Sequence, residues 1–310
     1  MLALDLGVFH RKAKAISTRE ALVWSGIWVA IAMVFAGIVF AWQGSQAGTE
    51  FLTGYMIEKS LSIDNVFVFA LIFGYFQVPA AYQYRILFWG VVGALLMRGV
   101  LIATGATLIA NFHWIIFIFG GFLVYSGIKM ALHDESQADP SRNLVVRLFK
   151  RFVPTTDEYD GQKFFTRRTG KLLATPLLTV LVAVEATDLI FAVDSIPAIF
   201  AITDEPFIVF TANALAILGL RALYFALAGV MHRFEYLKFG LSMVLVFVGA
   251  KMLASDLYHM PALLSLAIVM VILATSIVVS LLKSRAEAQV AHRAVVPGTE
   301  PVARGAEVES

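Results

Sequence analysis

The sequence predicts an all-α polytopic membrane protein, a helical bundle of about eight transmembrane helices with two inverted three-helix repeats. Three observations predict it. The 310 residues are 59% hydrophobic and only 15% charged, with a mean hydropathy of +0.80, which lies outside the range of a soluble domain. Apolar runs long enough to span a bilayer recur eight times, and Lys and Arg occupy only alternate connections between them. Two of the runs carry carboxylates in matching positions.

The spans are placed at 22–43, 51–76, 86–109, 113–132, 173–201, 206–230, 236–254 and 260–282. Before them, MLALDLGVF (1–9) is apolar but too short to cross, and the basic cluster Arg11, Lys12 and Lys14 follows it. A secretory signal has the opposite order. The segment reads either as an interfacial anchor or as the end of a longer helix. Arg11, Lys12, Lys14 and Arg19 lie before the first span, Arg85 after the second, eight basic residues within 133–172, Arg233 and Lys238 after the sixth, and Lys283 and Arg285 after the eighth. The intervening connections 44–50, 110–112, 202–205 and 255–259 contain neither Lys nor Arg. By the positive-inside rule both termini and the long loop are cytoplasmic.

The chain therefore divides into an N-terminal cytoplasmic or interfacial segment (1–21), a first helix and loop (22–50), one repeat (51–132), a basic loop (133–172), a second repeat (173–254), a last helix (255–282) and a tail (283–310). Within the loop, NLVVRLFKRFV (143–153) mixes apolar and basic residues at helical spacing. It suits either an amphipathic surface helix or a solvated linker. The tail, small and polar with Pro297 and Pro301, reads as disordered.

The repeat is visible by eye. IEKSLSIDNVFVFA (57–70) and TDLIFAVDSIPAIFA (187–201) align so that Asp64 falls on Asp194, Glu58 on Asp188 and Asn65 on Ser195. The next span of each set holds one mid-span arginine, Arg98 or Arg221, and the third holds Gly127-Ile-Lys129-Met130 or Gly249-Ala-Lys251-Met252. Three helices is an odd number, so the two sets are related by inversion across the membrane, a plan common in secondary transporters with midplane sites.

A carboxylate at the centre of a span costs roughly 2.5–3.5 kcal/mol, so Glu58, Asp64, Glu185, Asp188 and Asp194 call for a function. Seven residues make nearly two turns, which puts Glu58 with Asn65 and Asp188 with Ser195 on one face each. Asp64 and Asp194 lie off those faces, and a helix break at Pro197 would let all of them converge while freeing the Val193 carbonyl. The candidate metal set is Glu58, Asp64, Asn65, Glu185, Asp188, Asp194 and Ser195, all hard oxygen donors suited to Mn²⁺, Mg²⁺ or Ca²⁺. Arg98, Arg221, Lys129 and Lys251 are the candidate charge-balancing residues. They could instead form buried ion pairs that only fix packing, but such pairs stabilise poorly and a mirrored set favours a mechanism. Lys129 and Lys251 are close enough to helix ends to snorkel. Gly120, Gly121, Gly127 and Gly249 read as close helix contacts.

Other classes are disfavoured. There are no cysteines, which excludes disulfides and thiolate metal or redox sites. No Walker A or dinucleotide fingerprint is present. The six histidines are scattered without ligand spacing, against Zn²⁺ or Cu⁺. No enzyme activity, tightly bound cofactor or nucleic-acid partner is expected. The expected partners are the lipid bilayer and a transported divalent cation.

LTGYMIEKSLSIDNVFVF (52–69), YDGQKFFTRRTGKLLATPLL (159–178), VEATDLIFAVDSIPAIFAIT (184–203) and NALAILGLRALYFALAG (213–229) resemble the TerC family of integral membrane proteins, in its Alx-like branch. The resemblance covers nearly the whole chain. It implies a multi-pass protein of the bacterial inner membrane tied to manganese export and metal homeostasis, with older links to tellurium resistance and redox modulation. The family's acidic motif falls on Glu58, Asp64, Asn65, Glu185, Asp188 and Asp194. Such proteins often open with a full hydrophobic helix ending in a sequence like LALDLGVFHRK, of which only the end stands here, with Asp5 in it. Three functions follow: a secondary transporter exporting Mn²⁺, with exchange for protons as one form of coupling; a non-transporting membrane protein that modulates redox state or scaffolds partners through 133–172; and an intramembrane enzyme using paired carboxylates.

Overall fold

The structure is a computed structural model and describes residues 17–112, 114–132, 144–168, 170–227, 237–258 and 260–295. The N-terminal anchor reading falls on 1–16, outside the described residues. Nine helices and one hairpin are described: α1 (Thr18–Tyr75), α2 (Ala80–Asn111), α3 (Ile115–Leu132), α4 (Leu144–Phe152), β1 (Phe165–Arg168), β2 (Lys171–Ala174), α5 (Pro176–Phe200), α6 (Pro206–Leu218), α7 (Leu220–Leu227), α8 (Leu237–Leu253) and α9 (Ala262–Val295). Among the described residues, six helical stretches are long and apolar enough to cross a membrane.

Each of the eight predicted spans overlaps helix over its described residues, but two are joined and the fifth begins at Pro176, its first two predicted residues belonging to β2. α1 begins at an N-cap, where the Ser17 hydroxyl accepts from the Glu20 N–H at 3.3 Å. It then runs through both the first and second predicted spans, interrupted only at Gly44 (φ 91°, ψ 178°), a conformation open to glycine. Phe35 and Phe51 have ring centroids 5.2 Å apart. A straight helix would separate residues sixteen positions apart by about 24 Å. The helix therefore doubles back at Gly44 into two arms, 18–43 and 45–75, and Ala32, Ala36 and Val39 of the first pack on Phe51 and Tyr55 of the second.

Pro197 does not divide the fifth span. α5 continues through it to Phe200: the proline removes a single bond, its own to the Val193 carbonyl, and the Ala201 N–H still bonds the Pro197 carbonyl at 3.0 Å. The interruption lies in the sixth span instead. It is a single residue, Gly219, between α6 and α7. A β-carbon there would come within 2.9 Å of Lys59 Nζ and 3.1 Å of the Trp28 β-carbon. The Lys59 ammonium reaches across to donate to the Ala216 carbonyl at 3.4 Å.

α3 and α8 pack antiparallel at glycine range. A β-carbon at Gly120 would lie 3.0 Å from the Gly249 carbonyl oxygen, and one at Gly249 would lie 2.7 Å from that of Gly120. A β-carbon at Gly127 would lie 2.8 Å from both the Ser242 carbonyl oxygen and Val246, whereas Gly249 meets Val124 at 2.9 Å. Aligning Gly127 with Gly249 pairs Gly120 with Ser242 and Val124 with Val246. The contacts thus exchange with one another, as a twofold relation between the two halves requires. Gly121 is a correction: nothing lies within 4 Å of its side, so it marks no close approach.

The described part of the loop, 144–168 and 170–172, is more ordered than a linker. α4 is a helix whose Val146 is buried in a cluster with Leu177 and Val180 of α5. β1 and β2 pair antiparallel with Phe165 opposite Ala174, turning at Gly170 (φ 77°), and form the one β element among the described residues. The Tyr159 hydroxyl donates to the Phe76 carbonyl at 2.9 Å and Arg85 sits 4.9 Å over the Phe164 ring, which binds the loop to the connection before α2. The Thr166 hydroxyl and then Lys163 bond the Asp160 carboxyl, and together they hold it below its ordinary value. The tail also differs from the expectation. α9 extends to Val295, because KSRAEAQVAHRAV (283–295) is rich in helix formers and continues a helix already nucleated. Residues 296–310 lie outside the described residues.

Candidate functional site: an arginine ringed by oxygen donors

Four helical segments deliver the site. The 45–75 arm of α1 carries Glu58 and Asn65, α2 carries Arg98, α5 carries Asp188 and Ser195, and α6 carries Asn213. All six are buried, with Arg98 1% exposed. The i, i+7 spacing predicted for each acidic helix aims both of its polar residues inward from opposite sides.

Arg98 occupies the centre. Its Nε donates to Asp188 Oδ2 at 3.2 Å and its Nη2 to Asp188 Oδ1 at 3.1 Å, a two-bond fork. Its Nη1 pairs with Glu58 Oε1 and donates to Ser195 Oγ and Asn213 Oδ1, each at 3.1 Å. Asn65 Nδ2 donates to Asp188 Oδ1 at 3.3 Å, and Ser195 Oγ meets Glu58 Oε1 at the shared Nη1 of Arg98. One guanidinium therefore faces two carboxylates inside a membrane-spanning bundle.

The group is not saturated. Glu58 Oε2, Asn65 Oδ1 and Asn213 Nδ2 are buried without a hydrogen-bond partner. Glu185 Oε2 is too, on the same helix as Asp188, with its carboxyl pressed against the backbone of Gly93. Buried polar atoms of this kind are costly unless something supplies the missing bond. Three of the four are oxygens, the donor type that hard divalent cations take.

The two remaining acids stand apart from Arg98. Asp64 and Asp194 each precede a site residue by one position, and a step of about 100° turns them away from its face. The break at Pro197 that would have brought them in is absent. Asp194 accepts from Ser126 of α3 at 2.8 Å, with Lys129 contributing positive charge nearby. Among the described residues no three of the His, Cys, Asp and Glu side chains lie close enough together to hold a metal ion by themselves. In this arrangement the guanidinium takes the space between Glu58 and Asp188.

The other predicted cations lie outside the cluster. Arg221 sits 4.4 Å over the Tyr84 ring and lines a narrow cavity that Asp188 also lines. Lys251 lines a larger cavity of about 860 Å³ at the end of the bundle that holds the connections without Lys or Arg, together with Thr49, Glu50, Asp204 and Asp256. Asn213 is a site residue that sequence reasoning missed. The available signal was a lone carboxamide in the apolar run FTANALAIL (210–218).

Comparison with known proteins agrees with the resemblance. A family model described as the integral membrane protein TerC family matches residues 43–288. A Myxococcus xanthus protein named "Uncharacterized membrane protein STKORF319" is 53% identical over 285 residues, covering 92% of this chain and 89% of its own. The Escherichia coli (strain K12) protein named "Putative membrane-bound redox modulator Alx" is 48% identical over 290 residues, 90% of each chain. A Rickettsia bellii membrane protein is 38% identical over 283 residues, covering 91% of this chain and 94% of its own. No solved structure matches. The chain belongs to the TerC family of integral membrane proteins.

Proposed function

We propose that the protein is a secondary transporter that exports a divalent metal cation, Mn²⁺ foremost, across the bacterial inner membrane, with the long loop and the C-terminus in the cytoplasm. The observation that carries this reading is the convergence of Glu58, Asn65, Asp188 and Ser195 from two repeat-related helices on one buried cation, Arg98. Two carboxylates that deep need a positive charge between them at every moment. Arg98 fills that role when no metal is bound. A partly dehydrated Mn²⁺ displaces it and takes Glu58, Asp188 and the amide and hydroxyl oxygens as ligands, with Glu185 adding a carboxylate from the next turn. Return of Arg98 then favours release. No covalent step or resident cofactor is involved. Mg²⁺ and Ca²⁺ accept the same donors, so preference for Mn²⁺ rests on the family resemblance.

The test is metal tolerance in cells loaded with Mn²⁺. Glu58→Gln and Asp188→Asn proteins, inserted at wild-type levels, lose tolerance. Wild-type tolerance in both removes the site from the mechanism. A second reading takes the relatives' name at its word and makes the chain a membrane-bound redox modulator acting through 133–172. The order found in that loop supports an interaction role. Deleting it abolishes function with metal flux intact if that reading holds.

A further inference from the structure

The site follows the twofold relation between the halves at its acids and departs from it at its arginines and at Asn213, whose counterpart is Gly90. Asn65 donates to Asp188, and Ser195 shares Arg98 Nη1 with Glu58, so each polar residue stands beside the acid of the other helix, and these two placements exchange when each residue is replaced by its repeat counterpart. The glycine contacts of α3 and α8 exchange in the same way. Arg98 and Arg221 are also counterparts, yet they stand differently. Arg98 holds both carboxylates, whereas Arg221 stacks on Tyr84 across a narrow cavity from Asp188. That cavity is walled by Gly90, Val91 and Ala94 of α2, the helix that carries Arg98.

The two ends are unequal in the same sense. Thr49 lines the cavity of about 860 Å³ at the end whose connections lack Lys and Arg, with Lys251 on its wall. Its repeat counterpart, Thr179, is buried and lines a smaller cavity of about 230 Å³ at the basic end, with Phe76, Lys150 and Tyr159. A molecule built from two inverted halves that engages the arginine of only one half, and opens more at one end, has a mirror state. In that state the roles of the two halves are reversed.

We infer that Arg98 and Arg221 alternate as the cation on the Glu58–Asp188 pair, Arg98 when the end with Lys- and Arg-free connections is open and Arg221 when the basic end is open. The described structure is the Arg98 member. The narrow cavity beside Asp188 marks the path Arg221 takes, and it widens to admit a guanidinium once a shift of α2 carries Leu87 away from Phe69 and Leu220. Each arginine keeps a positive charge between the carboxylates while the metal is absent, so the empty carrier can reorient without stranding two buried anions unpaired. The inference rests on the transport reading for its purpose. The exchange itself is a property of the empty protein.

The chain has no cysteine, so single-cysteine labelling reports access directly. Thr49→Cys and Thr179→Cys are each placed in the full chain, reconstituted in vesicles without metal and exposed to a membrane-impermeant maleimide from either side. In the parent background Thr49→Cys reacts faster. Arg98→Lys keeps a charge and the fold, but one ammonium cannot reproduce the fork to Asp188 together with the bonds to Glu58, Ser195 and Asn213. It raises Thr179→Cys labelling and lowers Thr49→Cys labelling, each by about tenfold, as a population shift between two states requires. Arg221→Lys shifts both in the opposite direction. Changes in the same direction, or none, for the two lysine variants overturn the exchange. Opposite shifts in a protein that moves no Mn²⁺ leave the exchange standing and sink the transport reading. Mn²⁺ flux without opposite shifts does the reverse.

Discussion

Arg98 is the most heavily bonded buried side chain in the site, and its partners differ in how readable they were. Glu58 and Asp188 announced themselves as costly acids in repeat-related positions, and their i+7 neighbours Asn65 and Ser195 followed from helical geometry. Asn213 had no such support, because its repeat counterpart is Gly90 and a carboxamide in an apolar span has many uses. Its bond to the guanidinium is charge-assisted and buried. Asn213→Ala lowers stability in detergent by about 1–3 kcal/mol, read as a shift in thermal unfolding. Asn213→Asp adds a third carboxylate to the ring and strengthens the hold on Arg98, so it slows Mn²⁺ export without loss of folded protein. Asp64 and Asp194 were read as members of the same site because a break at Pro197 was expected to turn them in. The unbroken helix leaves Asp194 with Ser126 instead.

At the scale of elements, the antiparallel α3–α8 pair is held at backbone contact by Gly120, Gly127 and Gly249. Gly249→Ala places a methyl group 2.7 Å from a carbonyl oxygen on the facing helix, a clash that only separation of the helices relieves. It costs about 1–3 kcal/mol of stability, whereas Gly121→Ala, open on its side, leaves stability unchanged or raises it by a few tenths. Unfolding midpoints of the two variants side by side decide this. Which glycines pack was not readable from the sequence, since Gly120 and Gly121 are adjacent and only the rotation of the helix separates them. The order in 144–174 was only partly readable. The helix over Leu144–Phe152 was one of two readings, and the hairpin was not foreseen because four-residue strands lie below what alternation can reveal. The carboxyl of Asp160 offers a check on that hairpin. Its value is lowered in the fold, so its contribution is present above the ordinary 3.8 and is lost as pH falls through the lower folded value. The protection of the described amides in 163–174, relative to their intrinsic exchange rates, accordingly falls in acid in the parent, and Asp160→Asn removes that pH dependence.

Across the whole molecule, composition and the alternation of basic connections were enough to give an all-α membrane bundle, and the acid–arginine–lysine repeat predicts an internal plan with which the α3–α8 glycine contacts agree. What the sequence withheld is the state of the plan: which arginine is engaged, which end is open, and how tightly the ring around Arg98 closes. These depend on small rotations of helices that leave no trace in residue order. The central claim is that the Glu58–Asp188 pair holds a moving cation in place of Arg98. Uptake of Mn²⁺ into vesicles containing the purified protein, with Mg²⁺ and Ca²⁺ as competitors, tests it most directly. The account predicts saturable Mn²⁺ flux in the parent protein and its loss in both Glu58→Gln and Asp188→Asn, with folding intact in each. Flux in either variant at the parent rate, or none in the folded parent protein, would contradict it.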